Sequence, residues 1–300
     1  MGSSLRRNVC FQRGSRCEDC IIANNCPYSR IYHPGPVDGA DYSRGYTKVP
    51  PPYVIEPPSD TAFQAGDNLN MDLVLVGRST ELLPYFIMAL QRAGESGITS
   101  RKSRLRLVTV EGLLPESGSW KTIYDTSRDE LEDDIPFIRA DTFRFVSEPI
   151  ADLSTNTELT AILETMTRLK FRGQYVTRVE FPVLLRAILR RITMLSECYC
   201  DGEFAFPDDL LDRASEVIIQ EDHTQWYDWH RYSSRQNREM PLGGVIGSVR
   251  YLVPSDYLAS VMPYLTLAHY IHAGKNTSFG LGKIGFKLGI GDPDAWQDTA

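Results

Sequence analysis

Leu69, Met71, Leu73 and Leu75 alternate with Asn70, Asp72 and Val74 ahead of Gly77, the two-residue period of a half-buried strand. Ser79 is placed to cap a helix running to about Ala93, with Leu82, Leu83, Phe86, Ile87 and Leu90 on one face and the Gly94 to Gly97 turn ending it. Leu105, Leu107 and Val108 to Val110 predict a second strand, flanked by Arg101, Lys102, Arg104 and Arg106. The same order returns near the C-terminus: Gly243 to Val253 as a strand, Ser255 to His272 as a helix, a glycine-rich turn from Gly274 to Gly282, and Lys283 to Leu288 as a strand. Leu83-Pro84-Tyr85 and Met262-Pro263-Tyr264 precede their glycine turns at similar distances. Pro-Tyr pairs are common, so it is the shared order of elements that predicts an internal duplication, each copy being the second half of a split β-α-β unit.

The opening half of the second copy is expected in Thr142 to Val146 and Arg168 to Phe171 as strands, followed by a helix carrying Phe181, Leu184, Leu185, Ile188, Ile192 and Leu195 on one face. The first copy lacks a matching opening strand. Pro50 to Pro58 reads as an extended surface connection, because proline fixes φ and blocks helix. The acidic run Asp129-Glu130-Leu131-Glu132-Asp133-Asp134 reads as a solvated linker. The expected organisation is an N-terminal domain over 1–140 and a C-terminal domain over 141–300.

Composition sets the class. With 300 residues, 42% of them apolar and 24% charged, the chain can bury a core. No run of 18 uncharged apolar residues is present and the N-terminus lacks an apolar signal core, so no membrane partner is expected and the cytoplasm is the expected location. A net charge of −7 speaks against a protein that neutralises phosphates. Along the chain the picture changes: residues 168–191 hold seven basic side chains against one acidic, and residues 231–287 hold seven against two. The C-terminal half can therefore present a basic face.

Three motifs carry candidate chemistry. Cys10, Cys17, Cys20 and Cys26 supply four thiols within seventeen residues, and Cys17-x2-Cys20 has the knuckle spacing of structural zinc. An iron–sulfur cluster and reduced cysteines without metal are the alternatives, and a structural role is favoured over a catalytic one. Gly274-Lys275-Asn276-Thr277-Ser278-Phe279-Gly280-Leu281-Gly282-Lys283 is the glycine-rich loop. Its backbone amides could converge on phosphate oxygens while Lys275 and Lys283 supply charge. Gly280-x-Gly282-x-x-Gly285 formally matches a dinucleotide fingerprint, but it opens a strand rather than a helix, and the order of a Walker loop is absent. Trp226 to Gln236 interleaves aromatic rings with Arg231 and Arg235, groups that stack on bases and pair with phosphates.

Together, Gly274-Lys275-x-Thr277-x-Phe279-Gly280-Leu281-Gly282, the upstream Arg231-Tyr232-Ser233-x-Arg235-Gln236 with Leu242-Gly243-Gly244-Val245-x-Gly247, and Cys17-x2-Cys20-x5-Cys26-Pro27-Tyr28 resemble the CRISPR-associated endoribonuclease that cuts precursor CRISPR RNA within its repeats. This is the sixth Cas family, of the RAMP superfamily. The resemblance implies an α+β fold of two tandem ferredoxin-like (RRM-like) domains, with the Cys-rich segment 10–26 as an insertion in the first. It implies metal-independent antiviral-defence chemistry: attack of a ribose 2′-OH on the adjacent phosphate, leaving a 2′,3′-cyclic phosphate. That reaction needs a base, an acid and positive charge. His272, two residues before the glycine loop, is the first candidate for acid or base, with His33 and His230 next. Arg231, Arg235, Gln236, Gly274, Lys275, Thr277, Ser278, Phe279, Gly280, Gly282 and Lys283 are the expected RNA contacts. CRISPR repeat RNA is the expected partner, with other Cas proteins beside it. Family members commonly carry their catalytic histidine in or near the first helix, whereas this chain begins at the end of that helix, at Leu5-Arg6-Arg7. The first domain is thus expected to be N-terminally truncated, and a non-catalytic RNA-binding subunit of a CRISPR ribonucleoprotein is the alternative.

Overall fold

The computed structural model describes residues 1–12, 14, 16–35, 49–60, 62–98, 101–115, 117–139, 156–201, 204–233 and 238–289. In chain order the helices and strands begin with α1 (Gly2–Val9), α2 (Pro27–Tyr32), β1 (Tyr53–Glu56), β2 (Asp72–Leu75) and α3 (Leu83–Ser96). β3 (Thr109–Leu113), β4 (Trp120–Asp125), β5 (Glu130–Leu131), β6 (Asn156–Thr167), β7 (Lys170–Phe171), β8 (Gln174–Tyr175) and α4 (Phe181–Tyr199) follow. The chain closes with β9 (Ile218–Asp222), β10 (Gln225–Tyr227), β11 (His230–Ser233), β12 (Arg238–Pro241), β13 (Gly244–Pro254), α5 (Ser255–Ile271) and β14 (Ile284–Leu288).

Two compact units result. The first comprises Met1–Pro52, Leu75–Thr142 and Cys198–Cys200; the second comprises Tyr53–Val74, Phe143–Glu197 and Asp201–Ala300. Within the first, α1 packs on α2 and α3, burying Leu5, Ile31 and Phe86. Gly97 at φ 85° ends α3, a left-handed position that glycine takes without a Cβ penalty. β3, β4 and β5 form a three-stranded antiparallel sheet. The acidic run is therefore not a plain linker: Glu130–Leu131 pairs with β4, and Asp134 accepts from Lys121 at 3.1 Å.

The second unit is built on an antiparallel sheet in the order β10-β13-β6-β14, with β9 also pairing with β13. With β6, β9/β10, β13 and β14 as the four successive positions, and with α4 and α5 as crossovers, this is the 4-1-3-2 arrangement of a ferredoxin-like fold. Its core is the inward side of the strands, Leu159, Ala161, Leu163, Val249, Tyr251 and Val253, against Phe181, Leu184, Ile188, Leu258, Val261 and Leu265 of the helices. The final strand–helix–glycine turn–strand matches the sequence reading to within a residue or two. The opening strand does not: it is Asn156–Thr167, whereas Arg168 to Phe171 leads into the small β7–β8 hairpin, and Thr142 to Val146 lies outside the described residues. The proline-rich passage is also more than a surface connection, since Tyr53 and Val54 are buried and residues 53–74 belong to the second unit.

Candidate nucleic-acid interface

The glycine-rich loop between α5 and β14 is fixed from both ends by one carboxylate. His272 directly follows α5 at φ 60°, ψ 170°, a strained conformation for a residue with a side chain, costing on the order of 1–3 kcal/mol. Two contacts hold it there. Nδ1 lies 3.1 Å from the Leu281 carbonyl oxygen and Nε2 lies 3.0 Å from Glu56 Oε1. Both partners are acceptors, so the arrangement is satisfied when both ring nitrogens donate. At the far end of the loop, Lys283 Nζ donates to Glu56 Oε2 at 2.7 Å and stands 3.6 Å from Glu164 Oε2. Burial pushes the Glu56 carboxyl up, but the hydrogen bonds and charges of His272 and Lys283 outweigh it and hold the group at about 2. Burial acts downward on Lys283, and Glu56, with help from Glu164 and Asp72, carries it above its ordinary value.

The glycines serve this packing. Gly280, at φ 80°, is so close to β1 that a Cβ would sit 2.8 Å from the Ile55 carbonyl oxygen, and a Cβ on Gly282 would run into the Ala273 carbonyl. Four of the loop's amides are committed to protein acceptors. Lys275 N–H donates to Arg168 O, Phe279 N–H to Asn276 O, Gly280 N–H to Thr277 O, and Lys283 N–H to Thr165 Oγ1. The N–H groups of residues 275, 279, 280 and 283 therefore do not point freely at a phosphate, which narrows the expected cradle. Thr277 is buried, and Lys283 is neutralised by Glu56. What the loop turns outward is Lys275 and Phe279, with Ser278 half-exposed between them.

Around those side chains the second unit gathers cations on aromatic rings. The Arg168 guanidinium lies 4.1 Å from the centre of the Tyr175 ring, with Lys170 Nζ at 4.9 Å and Lys275 Nζ at 5.7 Å. Trp226 stands 6.4 Å from the same ring, Arg231 lies over Phe279 at 4.9 Å, and Arg172 over Phe171 at 5.1 Å. Tyr175, Phe171 and Phe279 are exposed, each with a cation over its ring. Exposed rings edged by guanidinium and ammonium groups can stack on bases while the cations meet phosphates.

The expected residues are thus divided. Arg231, Lys275, Ser278 and Phe279 share this surface; Gly274, Gly280, Gly282, Thr277 and Lys283 build the loop beneath it; Arg235 and Gln236 lie outside the described residues. His272 is buried completely, which removes it from reach of a substrate phosphate in this conformation, contrary to its expected acid–base role. His230 is exposed at the start of β11, one residue before Arg231. His33 ends α2 in the first unit, half-buried, its ring 5.6 Å from that of Tyr28. Sequence reasoning missed Tyr175, Arg168 and Lys170 as a group, although the basic excess over 168–191 pointed to the region. It also missed Glu56, whose only local sign is a carboxylate flanked by prolines.

In the first unit, Cys10, Cys17, Cys20 and Cys26 line one pocket with Arg16, Ile22, Ala23 and Tyr28. All are free thiols. Burial raises Cys17 against the pull of Arg6, with Cys10, Cys26 and Cys20 adding to the rise. Among the described residues no three His, Cys, Asp or Glu side chains already converge as a coordination shell.

The second unit is thus a ferredoxin-like sheet that carries exposed aromatic rings with cations over them. Residues 162–284 match the family model of the CRISPR-associated endoribonuclease Cas6. Residues 1–135 match a second family model, described as an N-terminal domain. No curated protein sequence matches the chain. Among solved structures, a partial Cas6-RT-Cas1–Cas2 complex is similar at a TM-score of 0.52 and 12% identity, over 79% of this chain and 39% of that one. At that identity the likeness is one of fold. A Cas6 product complex gives a TM-score of 0.49 at 13% identity over 79% and 82% of the two chains. A Thermus thermophilus Cas6 gives 0.44 at 10% over 79% and 79%. Among the described residues, no helix is long and apolar enough to cross a membrane.

Proposed function

We propose that this chain binds CRISPR repeat RNA on the basic aromatic face of its second unit and cuts it without a metal ion. The match of residues 162–284 to the Cas6 endoribonuclease family is the observation that carries this reading. In the proposed reaction a base removes the proton of the 2′-OH, the oxygen attacks the adjacent phosphorus, the bond to the 5′ oxygen breaks, and an acid protonates that leaving oxygen. The products are a 2′,3′-cyclic phosphate and a 5′-OH. Lys275 and Arg231 supply positive charge to the pentacoordinate phosphate, and Tyr175 and Phe279 hold flanking bases by stacking. Of the three histidines with a claim to acid–base work, His230 is the exposed one on this unit and is assigned that role.

Incubation with end-labelled cognate repeat RNA in excess EDTA tests the reading. Cutting at one position with a cyclic phosphate end is the expected result. Binding without cutting makes the chain an RNA-binding subunit of a CRISPR ribonucleoprotein, and neither binding nor cutting sinks both. Stacking on Tyr175 is tested separately: Tyr175→Ala is expected to weaken repeat binding by about 1–3 kcal/mol, roughly 5- to 150-fold, in a filter-binding titration. Lys275→Gln is expected to lower the slope of log affinity against log salt by about one.

A further inference from the structure

The cysteine segment has no part in the RNA-binding face, and its structure poses a separate problem. Between Val9 and Cys26 no described residue is buried, and Phe11 and Ile21 are 75% and 89% exposed. A stretch with no apolar core of its own has little to offset the roughly 1–2 kcal/mol per residue that ordering a backbone costs. The thiols are among the side chains it turns inward, beside Ile22 and Ala23. Cys10, Cys17, Cys20 and Cys26 all line the same pocket, and Cys26 is buried. The backbone turns account for that shared lining. Residues Cys17–Asp19 form a single 3-10 turn, and Cys20 N–H donates to Cys17 O at 3.3 Å, which folds the Cys17-x2-Cys20 pair into one turn. Ala23 N–H then donates to Cys20 O at 2.9 Å and Cys26 N–H to Ile22 O at 2.8 Å, returning the chain to the pocket.

We propose that Cys10, Cys17, Cys20 and Cys26 bind one zinc ion that orders residues 10–26 of the first unit. Four thiolates close a tetrahedral shell, the donor set of structural zinc. The shell would carry two excess negative charges, and Arg16, which lines the pocket, and Arg6, whose charge acts on Cys17, stand beside it to offset them. Because no three ligands already converge among the described residues, binding draws the thiols together and is coupled to local ordering. The spacing x6, x2, x5 departs from the x2, x2, x3 run of bacterial cluster ferredoxins, which favours zinc over an iron–sulfur cluster.

Metal analysis of protein purified without chelator is expected to give about one zinc per chain. Cobalt(II) added to protein stripped by a thiol-compatible chelator should give the absorption of tetrahedral thiolate coordination. Hydrogen exchange over residues 10–26 should quicken on stripping and slow again on adding zinc, a readout that needs no variant. Cys17→Ser with Cys20→Ser is expected to lose the zinc, while Cys198→Ser keeps it. Zinc retained by the double variant, no cobalt–thiolate spectrum in the wild type, or iron with acid-labile sulfide would each overturn the proposal.

Discussion

Glu56→Ala is expected to lower the stability of the second unit by about 3 kcal/mol, because it leaves the buried His272 and the partly buried Lys283 without their shared counter-charge. In a unit of this size that is a fall of roughly 6–12 °C in the melting midpoint. The loss should depend on pH in a defined sense. The folded Glu56 sits at about 2, below the ordinary carboxylate value of 4.5. Its contribution is therefore fully present above about pH 4.5 and is lost as the pH falls through about 2. Between those limits the wild type should lose on the order of 3 kcal/mol from this group, a loss that Glu56→Gln should not show. Denaturant melts of wild type and Glu56→Gln at pH 7, 4 and 2.5 check it. Equal acid sensitivity of the two proteins would remove the carboxylate from its bridging role.

His230→Ala is expected to slow cleavage of repeat RNA by 10²- to 10⁴-fold under single-turnover conditions in EDTA, with binding nearly unchanged, as loss of a general acid or base would. His272→Ala should differ in kind, its main effect appearing in thermal stability and in the placement of Lys275 and Phe279. Should His230→Ala cut at the wild-type rate while His33→Ala does not, the acid–base role passes to His33.

The contrast between these histidines shows where the chain could be read directly. Residues 244–288 were legible because each physical constraint left a local mark. Strand β13 alternates buried and less buried positions from Val249 to Pro254, and Gly274, Gly280 and Gly282 stand where φ must be positive. Strand β6 was not legible. Its inward Leu159, Ala161 and Leu163 alternate with Thr160 and Ile162 among threonines and glutamates, a weaker signal than the aromatic and basic residues just downstream. Those downstream residues drew the strand assignment to a hairpin that instead carries the exposed Tyr175. His272 misled for a different reason: nearness to the loop in sequence suggested exposure, whereas the turn that brings it there buries it against Glu56. A partner 216 residues away leaves no local trace. The cysteines were visible as a motif from spacing alone, while their shared pocket depended on the turns between them.

The Glu56 bridge also bears on the order in which the chain can fold. A ribosome delivers β1 more than two hundred residues before the loop that it must hold, so the second unit cannot finish until its last strand has emerged. A contact of such sequence separation is slow to close, which makes docking of residues 53–56 a candidate for the late, rate-limiting event in refolding. A C-terminal fragment starting at residue 156 would keep the whole ferredoxin-like sheet yet release the glycine-rich loop from its anchor.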